Sequence, residues 1–255
     1  MVIAFTFLLY LYIFIIGACL GSFLNVVICR LPKGVSIAKG RSACPSCGHT
    51  LAAKDLVPVL SRLFLRGRCR YCGAPIAFRY TLVELLGGLF AAACLACFGL
   101  SWRALVVFVS LMLLMAVSFV DIDTLEIPNV FILLLAVPAV AAVFVFTEVT
   151  ILERLIGFFA VSLPMFLLTL LIKDCFGGGD IKLVAVVGFL LGWKMALVAL
   201  FISLVTGGAY GIYLLATKKA ERDSHFAFGP FLSAGAAVAL LVGSRILIWY
   251  IGLII

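Results

Sequence analysis

The chain is a series of long apolar runs broken by short polar links, with one polar stretch long enough to form a domain. Neither period-2 nor period-3.6 alternation dominates. The runs are apolar on all sides, as expected of helices that face lipid rather than water. Hydropathy and charge predict eight spans, at about 3–25, 82–100, 104–120, 130–147, 155–173, 181–193, 195–216 and 231–251. The sixth is short, which predicts a tilted or broken helix, or a membrane hairpin with the seventh. The segment 30–81 is the only stretch large enough for a small soluble domain. No solenoid-type repeat, low-complexity tract or coiled-coil heptad stands out.

The composition supports this reading, with 66% hydrophobic and 12% charged residues among 255. A soluble fold could not hide that much apolar surface. The net charge of +8 does not point to nucleic acid, because ten of the nineteen Lys and Arg lie between Arg30 and Arg79 and most others flank apolar runs. No nucleic-acid partner is expected. The first 29 residues carry no charge, so the first run reads as a retained span with its amino terminus outside, not as a signal peptide. Alternating the spans from there puts fifteen Lys and Arg on the cytoplasmic side, including Lys173, Lys182, Lys218, Lys219 and Arg222. Three fall outside: Arg103, Arg154 and Lys194. This asymmetry fits the positive-inside pattern.

Nine cysteines divide into two kinds. Cys19, Cys29, Cys94, Cys97 and Cys175 lie in or beside apolar runs and read as small hydrophobes. Cys44-Pro-Ser-Cys47 and Cys69-Arg-Tyr-Cys72 are two CxxC pairs separated by 21 residues, each followed by glycine. Four thiolates at that spacing suit a closed tetrahedral zinc site, and a metal would staple a domain too small for a secure core. Two disulfides are the competing reading, disfavoured by a reducing cytoplasm. His49 stands close enough to substitute as a ligand, but reads as a surface histidine.

Two acidic motifs sit beside apolar runs, where an ionised group usually has a task. One is Asp121-Ile-Asp-Thr-Leu-Glu-Ile-Pro128, the other Gly177-Gly-Gly-Asp180. The topology brings Asp121 and Asp180 to the same cytoplasmic face. Two adjacent carboxylates share a proton, and one can then activate water while the other polarises a carbonyl. Asp180 also reads as a plain helix N-cap. A phosphate loop lacks the required Gly-Lys-Ser/Thr. No serine or cysteine triad competes, and His225 lies in a polar loop beside Asp223.

At this point the chain resembles a family, the bacterial type IV prepilin peptidases of the GxGD class of intramembrane aspartyl proteases. The resemblance rests on Gly21-Ser-Phe-Leu-Asn-Val-Val-Ile-Cys-Arg-Leu-Pro32, the two CxxC pairs, Arg79-Tyr-Thr-Leu-Val-Glu84, the two aspartate motifs and Phe228-Gly-Pro230. It departs at Thr81, where many members carry proline. The resemblance implies an all-α polytopic membrane protein of about eight transmembrane helices, with a zinc-stapled cytoplasmic domain between spans one and two. Three segments follow: a first span (1–29), a four-cysteine zinc-binding domain linked to methylation (30–81) and a protease domain (82–255). It implies a bifunctional enzyme of the bacterial cytoplasmic (inner) membrane that cleaves the basic leader of prepilins and pseudopilins. The enzyme then N-methylates the new terminus with S-adenosylmethionine.

Asp121 and Asp180 would be the protease dyad, and Cys44, Cys47, Cys69 and Cys72 the zinc ligands. Asn25, Arg30, Gly67 and Glu84 are candidates for the methyl-donor site. Asn25 also reads as an interhelical hydrogen-bonding group, Arg30 as a topology anchor, and Glu84 as an interfacial acid paired with Arg79 or another base. Asp123, Glu126 and Asp174 offer a local acidic patch for a basic leader, and anionic lipid offers a second place to hold it. A protease without methylation and a cation transporter are the alternative functions. The sequence sets no oligomeric state.

Overall fold

The computed structural model describes residues 2–172, 176–217 and 226–254. Lys173, Asp174, Cys175, Lys218, Lys219, Arg222, Asp223 and His225 lie outside the described residues. The described chain is almost wholly helical. It runs α1 (Val2–Arg30), α2 (Leu60–Phe64), α3 (Phe78–Phe98), α4 (Trp102–Thr124), α5 (Asn129–Val145), α6 (Ile151–Leu171), α7 (Gly178–Leu191), α8 (Trp193–Ala216) and α9 (Gly229–Ile254). Six of these are long and apolar enough to cross a membrane, namely α1, α3, α4, α6, α8 and α9. The 17-residue α5 is a shorter apolar helix, and α7, the predicted short span, has 14 residues and is separated from α8 by Gly192 alone. Large side chains such as Phe5, Leu133, Phe144, Leu171 and Ile212 stand exposed on the helix surfaces, as lipid contact requires.

Two compact units make up the chain, Met1–Leu100 and Ser101–Ile255. In the first, α1 packs along α3, crossing where Gly17 meets Gly87 backbone to backbone. Small residues there give the close approach that holds helices together in lipid. Between the two helices lies a cysteine-rich lobe of two matching knuckles. Cys44 N donates to His49 O, Gly48 N to Cys44 O and Leu51 N to Ser42 O; Cys69, Gly73 and Ile76 repeat the pattern with Ala74, Cys69 and Gly67. Gly48 and Gly73 take the left-handed backbone that each tight turn requires, at φ +70° and +71°.

The second unit is built on α4, the most deeply buried of the six spanning helices, against which α5 and α9 pack. Helix α7 lies against α5 and α6, and meets α6 where Gly157 and Gly188 touch. Thr150 and Glu153 form the capping box that starts α6.

One residue beyond that cap, Arg154 is fully buried. Its guanidinium donates to Ala142 O and Phe146 O at the end of α5, and to Phe189 O and Leu190 O at the end of α7. The carbonyls lie at helix C-termini, where the dipole favours a cation, and Ala142 O and Phe146 O also accept the Phe146 and Val149 amides, respectively. The other two bases of the predicted outer segments make ordinary surface pairs, Arg103 with Glu148 at 2.9 Å and Lys194 with Glu153 at 3.1 Å.

Candidate active site

The C-terminus of α4 and the N-termini of α7 and α9 converge within the second unit. Asp121 is buried in the last turn of α4, and its Oδ2 accepts the backbone N–H of Gly229 at 2.8 Å. That amide opens α9, where N–H groups are unpaired and the dipole favours an anion. A β-carbon on Gly229 would stand 2.7 Å from the same oxygen, so only glycine lets the amide come this close.

Asp180 occupies the first turn of α7 and accepts the N–H of Gly177. Its Oδ1 is buried with no hydrogen-bond partner among the described residues. Gly179 lies so near Ile127 that a β-carbon would meet the Ile127 Cβ at 2.8 Å. The missing side chain therefore lets the first turn of α7 pack against the link that follows Asp121. A second tie joins the same two motifs, since Lys182 Nζ donates to Asn129 Oδ1 at 2.9 Å. Asp121 and Asp180 are brought within range of each other's charge. Asp123 and Glu126 lie exposed nearby in sequence, at the end of α4 and just past it.

In the first unit, Cys44, Cys47, Cys69 and Cys72 place their four sulfurs within 4.8 Å of one another, with Cys44 and Cys72 3.9 Å apart. Edges of that length suit a tetrahedron of metal–thiolate bonds of about 2.3 Å, and a metal ion fits. The amides of Cys47 and Ser46 hold the Cys44 thiol down at about 6. His49 is outside the cluster, tilted against Tyr71 with ring centroids 3.6 Å apart. Asp55 braces the lobe by accepting Arg70 Nε at 2.6 Å, and that guanidinium, with the Ala52 amide and the Tyr71 hydroxyl, keeps its carboxyl below the usual range.

A cavity of about 270 Å³ opens between the lobe, the last turns of α1 and the first turns of α3. Asn25, Arg30 and Glu84 all line it. Asn25 is buried and donates to Tyr80 O at 3.0 Å, which makes the interhelical bond expected of it. Arg30 wraps the following loop through the carbonyls of Ser36, Lys39 and Arg41. Glu84 Oε2 accepts the Val59 amide at 2.8 Å. Gly67 is not part of the wall. It takes φ +71° in the second knuckle, and a β-carbon there would press on Arg62, which does line the cavity.

Comparison with known proteins agrees with this division. The profile described as "Bacterial Peptidase A24 N-terminal domain" matches residues 15–98, and that of the "Type IV leader peptidase family" matches residues 106–212. A prepilin leader peptidase/N-methyltransferase of Bacillus subtilis (strain 168) is 39% identical over 243 residues, covering 94% of this chain and 96% of its own. Proteins of the same description from Burkholderia pseudomallei (strain 1026b) and Aeromonas hydrophila are 36% and 33% identical, covering 90% and 94% of this chain and 84% and 92% of theirs. The chain belongs to the type IV leader peptidase family. No solved structure matches it.

Within the family framework, the sequence reading passed over several residues that shape the sites. Phe228-Gly229-Pro230 stood out only as a late loop, and nothing in it announced a bond to Asp121, which is 108 positions away. Lys182 and Asn129 stand at the ends of the two aspartate motifs with no role legible in the sequence, yet they link the motifs. The doubled knuckle was legible in principle, because Arg41-Ser-Ala-Cys and Arg66-Gly-Arg-Cys align 25 positions apart.

Proposed function

We propose that this protein is a membrane-embedded aspartic endopeptidase that removes the leader of type IV prepilins and pseudopilins and then N-methylates the new terminal residue. The approach of Asp121 and Asp180 to within range of each other's charge, in a chain whose relatives bear that double name, carries this reading. The site faces the cytoplasm of a bacterial cytoplasmic membrane, the side to which the Lys and Arg distribution assigns both motifs.

In the proposed cleavage the two carboxylates hold one proton between them. The ionised member takes a proton from water as the oxygen attacks the scissile carbonyl carbon. The protonated member donates to the carbonyl oxygen as it gains charge. Collapse of the tetrahedral adduct breaks the C–N bond; the carboxyl that took water's proton gives it to the leaving amine, and the other carboxylate takes a proton back from the adduct's hydroxyl as the carbonyl re-forms. Gly229 holds Asp121 in place throughout, while the unpartnered Oδ1 of Asp180 is free to engage water or substrate. The four cysteines would hold zinc in a closed, structural site. S-adenosylmethionine would supply an electrophilic methyl group for the second reaction. Asp123 and Glu126 offer acidic contacts to a basic leader, with anionic lipid as a second surface.

The test is a cleavage assay on detergent-solubilised Asp121→Asn and Asp180→Asn, made separately, beside transfer of labelled methyl to a pre-cleaved substrate. Each variant should lose cleavage while staying folded and keeping most methyl transfer. Near-normal cleavage by either removes that residue from the dyad.

A further inference from the structure

The cavity of the first unit combines features that a binding site needs and that packing alone does not explain. It is near the lower end of the size range for small-molecule sites, and its walls are mixed. Val26, Leu56, Leu65 and Ile76 supply an apolar side that would suit a flat heterocycle. Glu84 is the acid on the membrane side, half-buried in α3.

The surroundings of Glu84 are built to fix one carboxylate oxygen. Val59 donates to Oε2 from a backbone at φ +60° and ψ −50°, a conformation that a β-branched residue rarely adopts. The Ser22 hydroxyl donates to the same carboxylate from α1. Strain of this kind persists only where the surroundings enforce it, and it gathers at functional sites. Asp55, the other acid on the wall, is occupied by Arg70, Tyr71 and Ala52.

Resting on the methyltransferase reading above, we propose that this cavity is the methyl-transfer site and that Glu84 receives the newly cut amino terminus. The carboxylate accepts a proton from the terminal ammonium and holds the resulting neutral amine. The nitrogen lone pair then forms a bond to the sulfonium methyl carbon, and the C–S bond breaks with its electron pair kept by sulfur. The sulfonium becomes a thioether, the product is an N-methylammonium, and Glu84 returns its proton to water.

Two measurements on the full-length enzyme in lipid nanodiscs test this. Ultraviolet cross-linking of tritiated S-adenosylmethionine to the unaltered protein, followed by peptide mapping, should place the label on cavity-lining segments within residues 22–30, 42–45, 51–65, 69–70 or 76–84. Label confined to other segments overturns the cavity assignment while leaving methylation standing; no label on the parent, together with no methyl transfer, overturns both. Val26→Trp, which fills the cavity, should lose label and methyl transfer but keep leader cleavage, and a variant that still takes up label at parental level overturns the assignment. Glu84→Gln should retain label. Only about a tenth of a terminal amine is neutral at pH 7, so its methyl-transfer kcat should fall about tenfold there and rejoin the parent by about pH 9. A deficit unchanged across that range denies Glu84 the proton.

Discussion

A β-carbon on Gly229 would stand 2.7 Å from Asp121 Oδ2 and push the carboxylate off the amide that holds it. Overpacking of this kind costs about 1–3 kcal/mol, and a reacting group displaced by about 1 Å can lose two orders of magnitude in rate. Gly229→Ala should therefore lower cleavage kcat roughly 100-fold with methyl transfer to a pre-cleaved substrate unchanged, as single-turnover assays would register. Asp55 gives a pH signature at the same scale. Its folded carboxyl titrates below the ordinary value of about 3.9, so its contribution to stability is complete above that value and fades as pH falls through the lowered one. Asp55→Asn should melt earlier than the parent at pH 7 in a thermal scan, and the gap should close under acid conditions.

Among the elements, α5 and α7 depend on a side chain that belongs to neither. Replacing Arg154 by leucine would strip the guanidinium from four carbonyls, of which Ala142 O and Phe146 O keep a backbone amide, at about 1–3 kcal/mol for each buried group left unsatisfied before relaxation, against a total stability of the order of 5–15 kcal/mol. Arg154→Leu should lower Tm by about 10 °C or more in detergent, and Arg154→Lys should restore only part, since one ammonium cannot span both helix ends. This role was not legible in the sequence, where Arg154 looked like one more base flanking a span. The helices themselves were legible because lipid-facing segments are apolar all round, whereas a clamp depends on which helix ends meet in space. The same contrast holds at the site. Asp121, Asp180 and the four cysteines stood out as costly or regularly spaced residues, while the Gly229 amide and the backbone of Val59 act through geometry that no residue type records.

For the whole molecule, the compact unit that carries the sulfurs is distinct in sequence from the one that carries the paired aspartates. Stripping metal with a strong chelator should expose Cys44 and Cys69, both buried, to thiol reagents and depress methyl transfer well before leader cleavage. Paired activity assays on one chelated sample would show that order.

The bond between Lys182 and Asn129 gains a second meaning beside the guanidinium at the far end of the same two helices. With α5 and α7 riveted at both extremities, the seam between them is a poor doorway for an incoming hydrophobic segment. The pair should swing as a single slab, so that whatever parts to admit a pilin stem parts along some other edge of the bundle.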